Sequence, residues 1–392
     1  MKAFLGLIAV VLAGFAQGAV AIKENSVKVT SDPATRRVTV AYELEGDDAV
    51  VTFDVLKGDS TIGGEFLKNT SGDICKVLSA GPHEFIWYAD TGWCDNVALG
   101  AVTVKVEAWA LDNPPAYMVC DLVRGSRHYY PYADALPGEG GVTNDIYKTA
   151  KLVMRKIPAK GVQWRMGKLS AESAIVANAE TQHYVTFEDD YYIGVFEFTY
   201  GQRNHVKDTA ETAATAWLQT YPMTNQSWSA MRGTSYNTKA PTDNSIIGCL
   251  RSRVGNIEFD LTTDEQWEYA CRAGTSTRFA NGTDKDPDAE MGWYSGSGGA
   301  HPVGLKKANG WGLYDMHGNV WEHCLDGWYL PDDTNVVAGL HSDGGSNAQK
   351  VARGGGFAHN AKDYARSACR INRNYNGSAD QGFRVACPAI AK

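Results

Sequence analysis

Apolar and polar residues alternate along the first third of the chain, between about Val27 and Trp109. The apolar positions of this alternation are Val38, Val40, Tyr42 and Leu44, then Val51, Phe53 and Val55, then Val102, Val104, Val106 and Ala108. Because successive side chains of a strand point to opposite faces, each run predicts a strand with one face in a core and the other in water. Residues 22–112 are therefore predicted to form an all-β sandwich of the immunoglobulin-like kind.

The pattern weakens after residue 112. Residues 113–150 are rich in Tyr, Pro and Gly and have little periodicity, which predicts a linker that packs on one or both domains. From residue 151 to about 388, Trp and Gly become frequent and regular periodicity becomes sparse. This change predicts a second domain built on a different plan from the first.

Two helices are legible in the second domain. One is predicted roughly over residues 208–220, with Ala213, Ala216 and Trp217 on one face. The other begins after Thr262 or Thr263, either of which is suited to cap it, and has acidic residues in its first turn. Trp267 and Ala270 of this second helix are predicted to face inward.

The first residues have the pattern of an export signal. Lys2 precedes an apolar run from Phe4 to Phe15, and small residues follow up to Gly18. The run is too short for an ordinary transmembrane helix, so residues 1–18 are predicted to be a signal peptide cleaved after Gly18. The alternative is an uncleaved anchor. We expect a secreted or extracytoplasmic protein with no transmembrane segment after signal removal.

Composition agrees with two soluble domains. The chain has 392 residues, of which 44% are hydrophobic and 21% charged, as expected of a globular protein. The net charge of -8 argues against a nucleic-acid partner.

The chain contains eight cysteines, and export would permit disulfides between them. Cys75 and Cys94 lie in the same predicted domain and are the preferred pair. The connectivity of the other six cysteines cannot be deduced from their spacing. No CxxC pair is present, so neither a thioredoxin-like site nor a zinc ribbon is indicated.

Five motifs in the second domain occur in the order found in one known family. They lie at residues 189–199 (DDYYIGVFEFT), 259–275, 309–322 (ending in GNVWE), 353–357 (RGGGF) and 382–385 (GFRV). This part of the chain resembles the formylglycine-generating enzyme, or sulfatase-modifying factor, family. The resemblance implies the family's irregular α+β fold, a variant of the C-type lectin-like fold, over residues 151–388.

The resemblance also shows where catalytic chemistry would lie. Catalytic members carry two cysteines after the RGGS-like motif, where soft sulfur ligands bind copper for the oxidation of a substrate cysteine. Counted from the glycines of the motif, those two positions are taken by His359 and Tyr364. Counted back from the GFR of residues 382–384, the loop is also shorter than in the oxidases, and neither register gives the cysteine pair. Copper is therefore not expected, and a non-catalytic member is favoured. The alternatives are a formylglycine-generating oxidase or a related non-haem metal-dependent oxygenase.

A structural calcium ion is the cofactor that the resemblance supports best. By resemblance, Glu322 would supply a carboxylate, and His317, Gly318 and Val320 would supply carbonyls; hard oxygen ligands of this kind suit calcium. The alternative is that Glu322 pairs with an arginine or caps backbone amides.

A binding groove is the last expectation. The segment after the glycine motif is rich in hydrogen-bonding side chains, so a groove for an unknown glycan or protein ligand is predicted at His359, Asn360, Arg370, Asn372, Arg373 and Asn374. The competing interpretation is that the arginines hold a loop-rich core together through buried hydrogen bonds; it is favoured for Arg384 and left open for Arg370 and Arg373. A purely architectural cell-surface protein is the third possibility.

Overall fold

The structure is a computed structural model that describes residues 20–32, 34–67, 69–89, 102–210, 216–234, 239–255, 257–284, 288–294, 297–332, 334, 336–338, 349–358, 362–374 and 376–391. The chain divides into two compact units. The N-terminal unit comprises the chain up to Val119, Arg127–Asn144 and the residues from Ala389, whereas the C-terminal unit comprises Cys120–Ser126 and Asp145–Pro388. The predicted linker, residues 113–150, is thus shared between the two units. The predicted signal peptide lies outside the described residues.

The strands and helices of the described residues follow in chain order. The strands are β1 (Val20–Ile22), β2 (Lys28–Asp32), β3 (Arg37–Gly46), β4 (Ala49–Lys57), β5 (Ser60–Thr61), β6 (Thr70–Gly72), β7 (Lys76–Leu78), β8 (Gly81–Tyr88), β9 (Thr103–Ala110), β10 (Tyr117–Asp121), β11 (Ser126–Tyr130), β12 (Lys151–Ile157), β13 (Gln163–Met166), β14 (His183–Thr186), β15 (Tyr191–Gly194), β16 (Asp260–Leu261), β17 (Gly292–Trp293), β18 (His317–Gly318), β19 (Trp321–Gly327), β20 (Val336–Val337), β21 (Lys350–Arg353), β22 (Arg370–Arg373), β23 (Gln381–Gly382) and β24 (Val385–Pro388). The α-helices are α1 (Gly64–Leu67), α2 (Tyr200–Val206), α3 (Trp228–Arg232), α4 (Ile246–Arg253), α5 (Asp264–Arg272) and α6 (Asp288–Met291). Short 3₁₀ turns lie at Ala133–Ala135, Gly141–Thr143, Asp145–Lys148, Ala216–Leu218 and Lys362–Ala365.

Two antiparallel sheets form the N-terminal unit. In one sheet β8 pairs with β3 and β6, and β3 also pairs with β1 and β2; in the other, β4 pairs with β5, β7 and β9. The apolar positions of the predicted strands from both sheets contribute to one hydrophobic cluster, because the pleat turns alternate residues to the same side. The immunoglobulin-like assignment of this unit stays a prediction.

Strand β4 departs from the predicted pattern of one solvent-exposed face and one buried face. Its polar positions Thr52 and Asp54 are buried along with the apolar ones. The Trp109 indole N–H donates to the Thr52 hydroxyl at 2.9 Å, and the Tyr132 hydroxyl donates to the Asp54 carboxylate. Aromatic side chains therefore cover the face that the alternation assigned to water.

The C-terminal unit is built from several small sheets. Strand β15 pairs with β12 and β24, and β24 pairs with β16. A second sheet has the order β22-β21-β19-β23, and a third has the order β13-β14-β20. The two-residue strands β17 and β18 pair in parallel. Most of the unit is irregular chain between these short pieces, which is the coarse expectation from sequence.

Helix α5 lies where the sequence predicts it. The Thr263 hydroxyl accepts from the backbone N–H of Gln266, and the Gln266 side chain accepts from the N–H of Thr263, which completes a capping box. Trp267 and Ala270 are fully buried. The helix carries its charged residues Asp264 and Glu268 into the interior of the unit.

The helix predicted over residues 208–220 is wrong in the described residues. Helix α2 ends at Val206, and Asp208 adopts a left-handed conformation (φ 48°) that does not continue a helix. Beyond residues 211–215, which lie outside the described part, the chain forms only the short 3₁₀ turn Ala216–Leu218. Trp217, placed on one face of the predicted helix together with Ala213 and Ala216, is 64% exposed and contacts Tyr221 edge-on.

Candidate functional site

A buried group of charged side chains surrounds the Gly-Asn-Val-Trp-Glu segment. Arg384 grips the Glu322 carboxylate with two hydrogen bonds, from Nη2 to Oε1 at 2.6 Å and from Nε to Oε2 at 2.7 Å. The indole N–H of Trp267 donates to Oε2 as well, at 2.7 Å. Arg384 also donates to the carbonyls of Gly194 and Tyr314, both at 3.0 Å. All three side chains are fully buried, so this is a paired and hydrogen-bonded interior ion pair.

Two further carboxyl groups lie next to this pair. Glu197 accepts from the Asn319 amide at 2.6 Å and from the Val320 N–H at 3.1 Å, and Asp315 accepts from the Gly304 N–H at 2.7 Å. Burial raises the pKa of Glu197 well above its usual range, with the Asp315 and Glu322 charges adding to the effect. Burial likewise raises the pKa of Asp315 to about 6. The three carboxyl groups Glu197, Asp315 and Glu322 therefore outnumber Arg384, the arginine that pairs with Glu322.

Sequence reasoning gave no role to Glu197 or Asp315. A signal was nevertheless present, because Glu197 interrupts the apolar stretch Val195-Phe196-Glu197-Phe198. A charged residue at a position that is otherwise apolar is rarely buried without a partner. Here the partners are an amide and a backbone N–H more than 120 positions away, which periodicity does not predict.

The predicted calcium ligands occupy this same region. Both carboxylate oxygens of Glu322 already accept hydrogen bonds from Arg384 or Trp267, which is the arginine alternative stated above. A calcium ion at Glu322 would compete with Arg384, so the carboxylate as described does not fit as a calcium ligand. Within the described residues, no group of three or more His, Cys, Asp or Glu is arranged to hold a metal ion. The calcium assignment stays a prediction.

His317 has a structural environment. Its Nδ1 lies 2.8 Å from the Ala365 carbonyl, and its Nε2 lies 3.0 Å from the Ala280 N–H. A neutral imidazole that donates at Nδ1 and accepts at Nε2 satisfies both contacts. Burial lowers the pKa of His317 to about 4, which keeps the ring neutral. The ring thereby ties strand β18 to the segment that follows the glycine motif.

The predicted binding groove divides into three parts. His359 and Asn360 lie outside the described residues. Arg370 does not line a groove: its side chain is buried, pairs with Asp264 at 2.7 Å and donates to the carbonyls of Ala179 and Tyr329. Arg370 thus follows the core interpretation that the sequence left open.

The remaining groove residues lie at the end of β22. Asn372 and Asn374 are exposed, and the Asn372 amide donates to Gln349 at 2.5 Å. Arg373 is partly exposed, pairs with Asp380 at 3.1 Å, and places its guanidinium 5.4 Å from the centre of the Trp321 ring. These three side chains are the described part of the candidate surface, hereafter the β22 surface.

Arg353 and Arg366 hold the interior together in the same way as Arg384. Arg353 of the glycine motif pairs with Asp264 and, at 3.0 Å, with Glu268. Arg366 pairs with Glu172 and Glu180. Each guanidinium joins segments far apart in sequence, so these residues specify the fold of the unit.

Three cysteines of the C-terminal unit, and the tyrosine at one of the two expected cysteine positions, lie in packed surroundings. Tyr364, at one of the two expected cysteine positions, packs its ring edge-on against Trp321 at 6.0 Å. Cys271, Cys324 and Cys369 are buried, and burial raises the pKa of each thiol, to about 12 for Cys271. The Cys271 sulfur contacts His317 and Met316, whereas the Cys324 sulfur contacts Thr262. A thiol held in this way stays protonated at neutral pH and is a poor copper ligand.

In the N-terminal unit, the Cys75 thiol is buried. Its predicted partner Cys94 lies outside the described residues, so the pairing stays a prediction.

Comparison with known proteins bears on the C-terminal unit. A family model described as the sulfatase-modifying factor enzyme 1-like domain matches residues 154–389. A formylglycine-generating enzyme of Mycobacterium tuberculosis is 37% identical over 86 residues, which cover 18% of this chain and 27% of that protein. The chaperone protein LppX of Paenibacillus barcinonensis is 30% identical over 173 residues, which cover 39% of this chain and 57% of that protein. The chain thus spans between about a quarter and somewhat more than half of these relatives.

The chain is also similar to a solved structure. The Treponema denticola variable protein 1 aligns with 60% of this chain and 95% of its own, at 22% identity and a TM-score of 0.49. Among the described residues, the structure contains no helix long and apolar enough to cross a bilayer.

Proposed function

This chain belongs to the sulfatase-modifying factor enzyme 1-like domain family, and on that premise we propose that it is an exported, non-catalytic member that acts as a binding or structural module at or outside the cell surface. The proposal rests on which residues occupy the segment after the glycine motif at 353–357. The two positions expected to hold the cysteine pair are His359 and Tyr364, and Tyr364 packs on Trp321. Imidazole and phenol do not replace two thiolates as ligands of a soft copper(I) ion.

The second candidate function is the oxidase itself, because a relative at 37% identity bears the name formylglycine-generating enzyme. One experiment separates the two. The purified mature chain is loaded with copper(I) and incubated with a peptide containing Cys-x-Pro-x-Arg, which is then weighed by mass spectrometry. We expect no stoichiometric copper and an unchanged peptide. Loss of mass at the peptide cysteine would establish the oxidase and end the non-catalytic proposal.

We propose the β22 surface as the site for a glycan or protein ligand. Asn372 and Asn374 present exposed amides, and Arg373 presents a guanidinium beside an indole, a combination suited to hydroxyl and carboxylate groups. An array of glycans and peptides probed with the mature chain tests this idea. Binding should fall with the double change Arg373→Ala and Asn374→Ala and persist with Arg165→Ala, an exposed arginine on β13. Absence of any array signal, or equal binding by both variants, counts against the β22 surface.

We also propose that calcium binds at Glu322. The ion pair of Glu322 with Arg384 is the competing explanation, and the two can be separated by experiment. If calcium binds at Glu322, added calcium raises the melting temperature and a chelator lowers it, and Glu322→Gln abolishes both shifts. If Glu322 serves only Arg384, neither addition changes the melting temperature, while Glu322→Gln lowers it in every buffer. The second outcome removes the calcium proposal and leaves the non-catalytic one untouched.

Export and a Cys75–Cys94 bridge complete the proposal. Mass spectrometry of the chain secreted from its host should show an N-terminus at Ala19 and a non-reduced peptide containing both cysteines. A chain that keeps residues 1–18 contradicts the export proposal.

A further inference from the structure

A groove of about 300 Å³ lies in the C-terminal unit, where strands β15, β24 and β16 meet the segments that precede β15 and α5. Its volume is at the lower end of the range for ligand sites, about 300–1,000 Å³, so one or two side chains of an incoming molecule fit. No described residue between 353 and 374 lines it. The groove is therefore separate from the glycine motif and from the β22 surface.

The floor of the groove is apolar and held by packing. Its apolar lining includes Phe187, Tyr191, Leu261, Leu325, Ala338 and Ala386. The Phe187 and Tyr191 rings stack with their centroids 5.8 Å apart, and the Tyr191 hydroxyl donates to the Gln266 carbonyl at 2.7 Å. Leu325 and Ala338 are partly exposed, so the floor offers apolar surface that an incoming side chain can cover.

Five carboxylates line the same groove, whereas none of its described lining residues is Lys, Arg or His. They belong to Glu188, Asp189, Asp190, Glu258 and Asp260. The exposed members Glu188, Asp189 and Glu258 are hereafter the acidic rim. The five carboxylates come from two separate segments, residues 188–190 and 258–260, so they converge only in the folded chain.

The cations that contact these carboxylates do not themselves line the groove. Arg232 donates to both oxygens of Asp260, at 2.7 and 2.8 Å, and Arg251 lies 3.6 Å from the same carboxylate. Lys160 lies 3.9 Å from Asp189, and both side chains are exposed, so this contact is weak. These three cations are fewer than the five carboxylates, which leaves acidic charge in excess at the groove.

The combination of an apolar floor and an acidic rim indicates what kind of molecule the groove accepts. A lysine side chain packs its apolar stem along apolar surface while its ammonium group stays near water and carboxylates. Carboxylates on two separate segments match cations at two points of a ligand, with an apolar group between them. The net charge of -8 on the whole chain also favours the approach of a basic partner.

We propose that this groove docks a lysine-rich segment of a partner protein. One apolar side chain of the segment packs against Leu325 and Ala338, and lysines on either side of it pair with Glu188 and Glu258. A peptide supplies cations on both sides of an apolar side chain, whereas a simple amine has no such side chain to place on the floor. The proposal does not depend on a ligand at the β22 surface.

The test measures binding of the fluorescently labelled peptide Lys-Lys-Leu-Lys-Lys to the full chain by fluorescence polarisation. We expect saturable binding that weakens as salt is added, because exposed charge pairs are screened. Glu188→Gln combined with Glu258→Gln should raise the Kd roughly fivefold, the scale of two exposed ion pairs. The matched control combines Glu139→Gln with Glu290→Gln, two exposed acids outside the groove, and should leave the Kd unchanged.

Two further variants separate this groove from the rest of the molecule. Ala338→Arg fills part of the floor and adds a cation beside the bound lysines, so it should raise the Kd roughly tenfold or more. Arg373→Ala with Asn374→Ala, which removes two side chains of the β22 surface, should leave peptide binding unchanged. Urea denaturation of each variant shows whether it is folded under the conditions of the binding measurement.

Four results would overturn the proposal. One is the absence of saturable binding up to about 1 mM peptide, the weak end of measurable affinity. Another is an equal loss of binding in the groove variant and its matched control, which would assign the attraction to net charge. The third is equal affinity for Lys-Lys-Ser-Lys-Lys, since the floor would then contribute nothing. The fourth is spermidine that competes as well as unlabelled peptide, which would assign the groove to a small amine.

Discussion

The two units bury different kinds of side chain. In the described part of the N-terminal unit, the buried polar side chains are Thr52 and Asp54, and the rest of its core consists of aliphatic and aromatic side chains and Cys75, mostly from alternating strand positions. In the C-terminal unit, five arginines are among the largest fully buried side chains, namely Arg232, Arg353, Arg366, Arg370 and Arg384. The comparison teaches that regular strands need only hydrophobic burial, whereas a largely irregular chain is fixed by specific ion pairs and hydrogen bonds.

The largest test of this difference removes one interior cation. Arg384→Met should lower the free energy of unfolding by about 3–5 kcal/mol, because Glu322 is left buried without its partner. Urea denaturation followed by tryptophan fluorescence measures the loss. Lys105→Gln, which breaks the half-exposed pair with Glu107 in the N-terminal unit, should cost less than about 1 kcal/mol. Equal losses for the two variants would contradict the contrast between the units.

The next test concerns close backbone packing. Gly318 has a φ of 101°, and a β-carbon there would lie 2.3 Å from the Trp293 carbonyl oxygen, so Gly318→Ala forces β17 and β18 apart. We expect a loss of about 2–3 kcal/mol in unfolding free energy. Gly58→Ala in the N-terminal unit is the control, because Gly58 also has a positive φ but open space around it. If both alanine variants lose the same stability, conformation alone explains the effect and the close approach contributes nothing.

A smaller effect is expected from pH. The pKa of Asp315 is raised to about 6 in the folded chain from 3.8, so the folded state binds this proton more tightly than the unfolded state. The stabilisation is complete below about pH 4 and is lost as the pH rises through about 6. Asp315→Asn keeps an acceptor for the Gly304 N–H and suits the left-handed conformation (φ 57°). Relative to the parent, it should gain about 2 kcal/mol of stability between pH 4 and pH 7.

Denaturation curves at pH 4, 5, 6 and 7 measure this gain. A stability difference between Asp315→Asn and the parent that stays constant with pH would show that Asp315 is already ionised in the folded chain throughout this range. In the N-terminal unit the shift runs the other way at Asp73, where the His83 and Lys76 contacts hold the pKa below its usual value.

The smallest effect is expected in the hydrocarbon core. Leu44→Met keeps the volume and apolar character of a buried position on β3, so it should cost less than about 1.5 kcal/mol. The same urea experiment measures it. A loss as large as that of Arg384→Met would show that the N-terminal core is as sensitive to side-chain identity as the C-terminal network.

Sequence predicts the local parts of both units well. Alternation correctly selects Val38, Val40, Tyr42 and Leu44 as buried positions of β3, and the capping pattern correctly locates the start of α5 near Thr263. Both signals are local, because a strand face repeats every two residues and a capping box spans four. The family is also confirmed from motifs that the sequence shows directly.

Local sequence patterns do not predict the contacts of the candidate site. The alanine-rich run after Asp208 has helical spacing, yet its described residues form no α-helix, because periodicity carries no information about a left-handed break at Asp208. Arg370 carries no mark that separates a ligand contact from a core contact; its partner Asp264 lies more than 100 positions away. The same is true of Glu197 and Asn319, which meet only in the folded unit.

Arg384 has a consequence for the order in which the protein is made. Its contacts reach back to Gly194, Tyr314 and Glu322, and the nearest of these in sequence, Glu322, lies 62 positions before it. During translation, the carboxylate of Glu322 lacks this counter-ion until 62 further residues have been added. We therefore expect the C-terminal unit to complete its folding only after Arg384 has been synthesised. A nascent chain stalled ahead of this arginine should remain open to proteases.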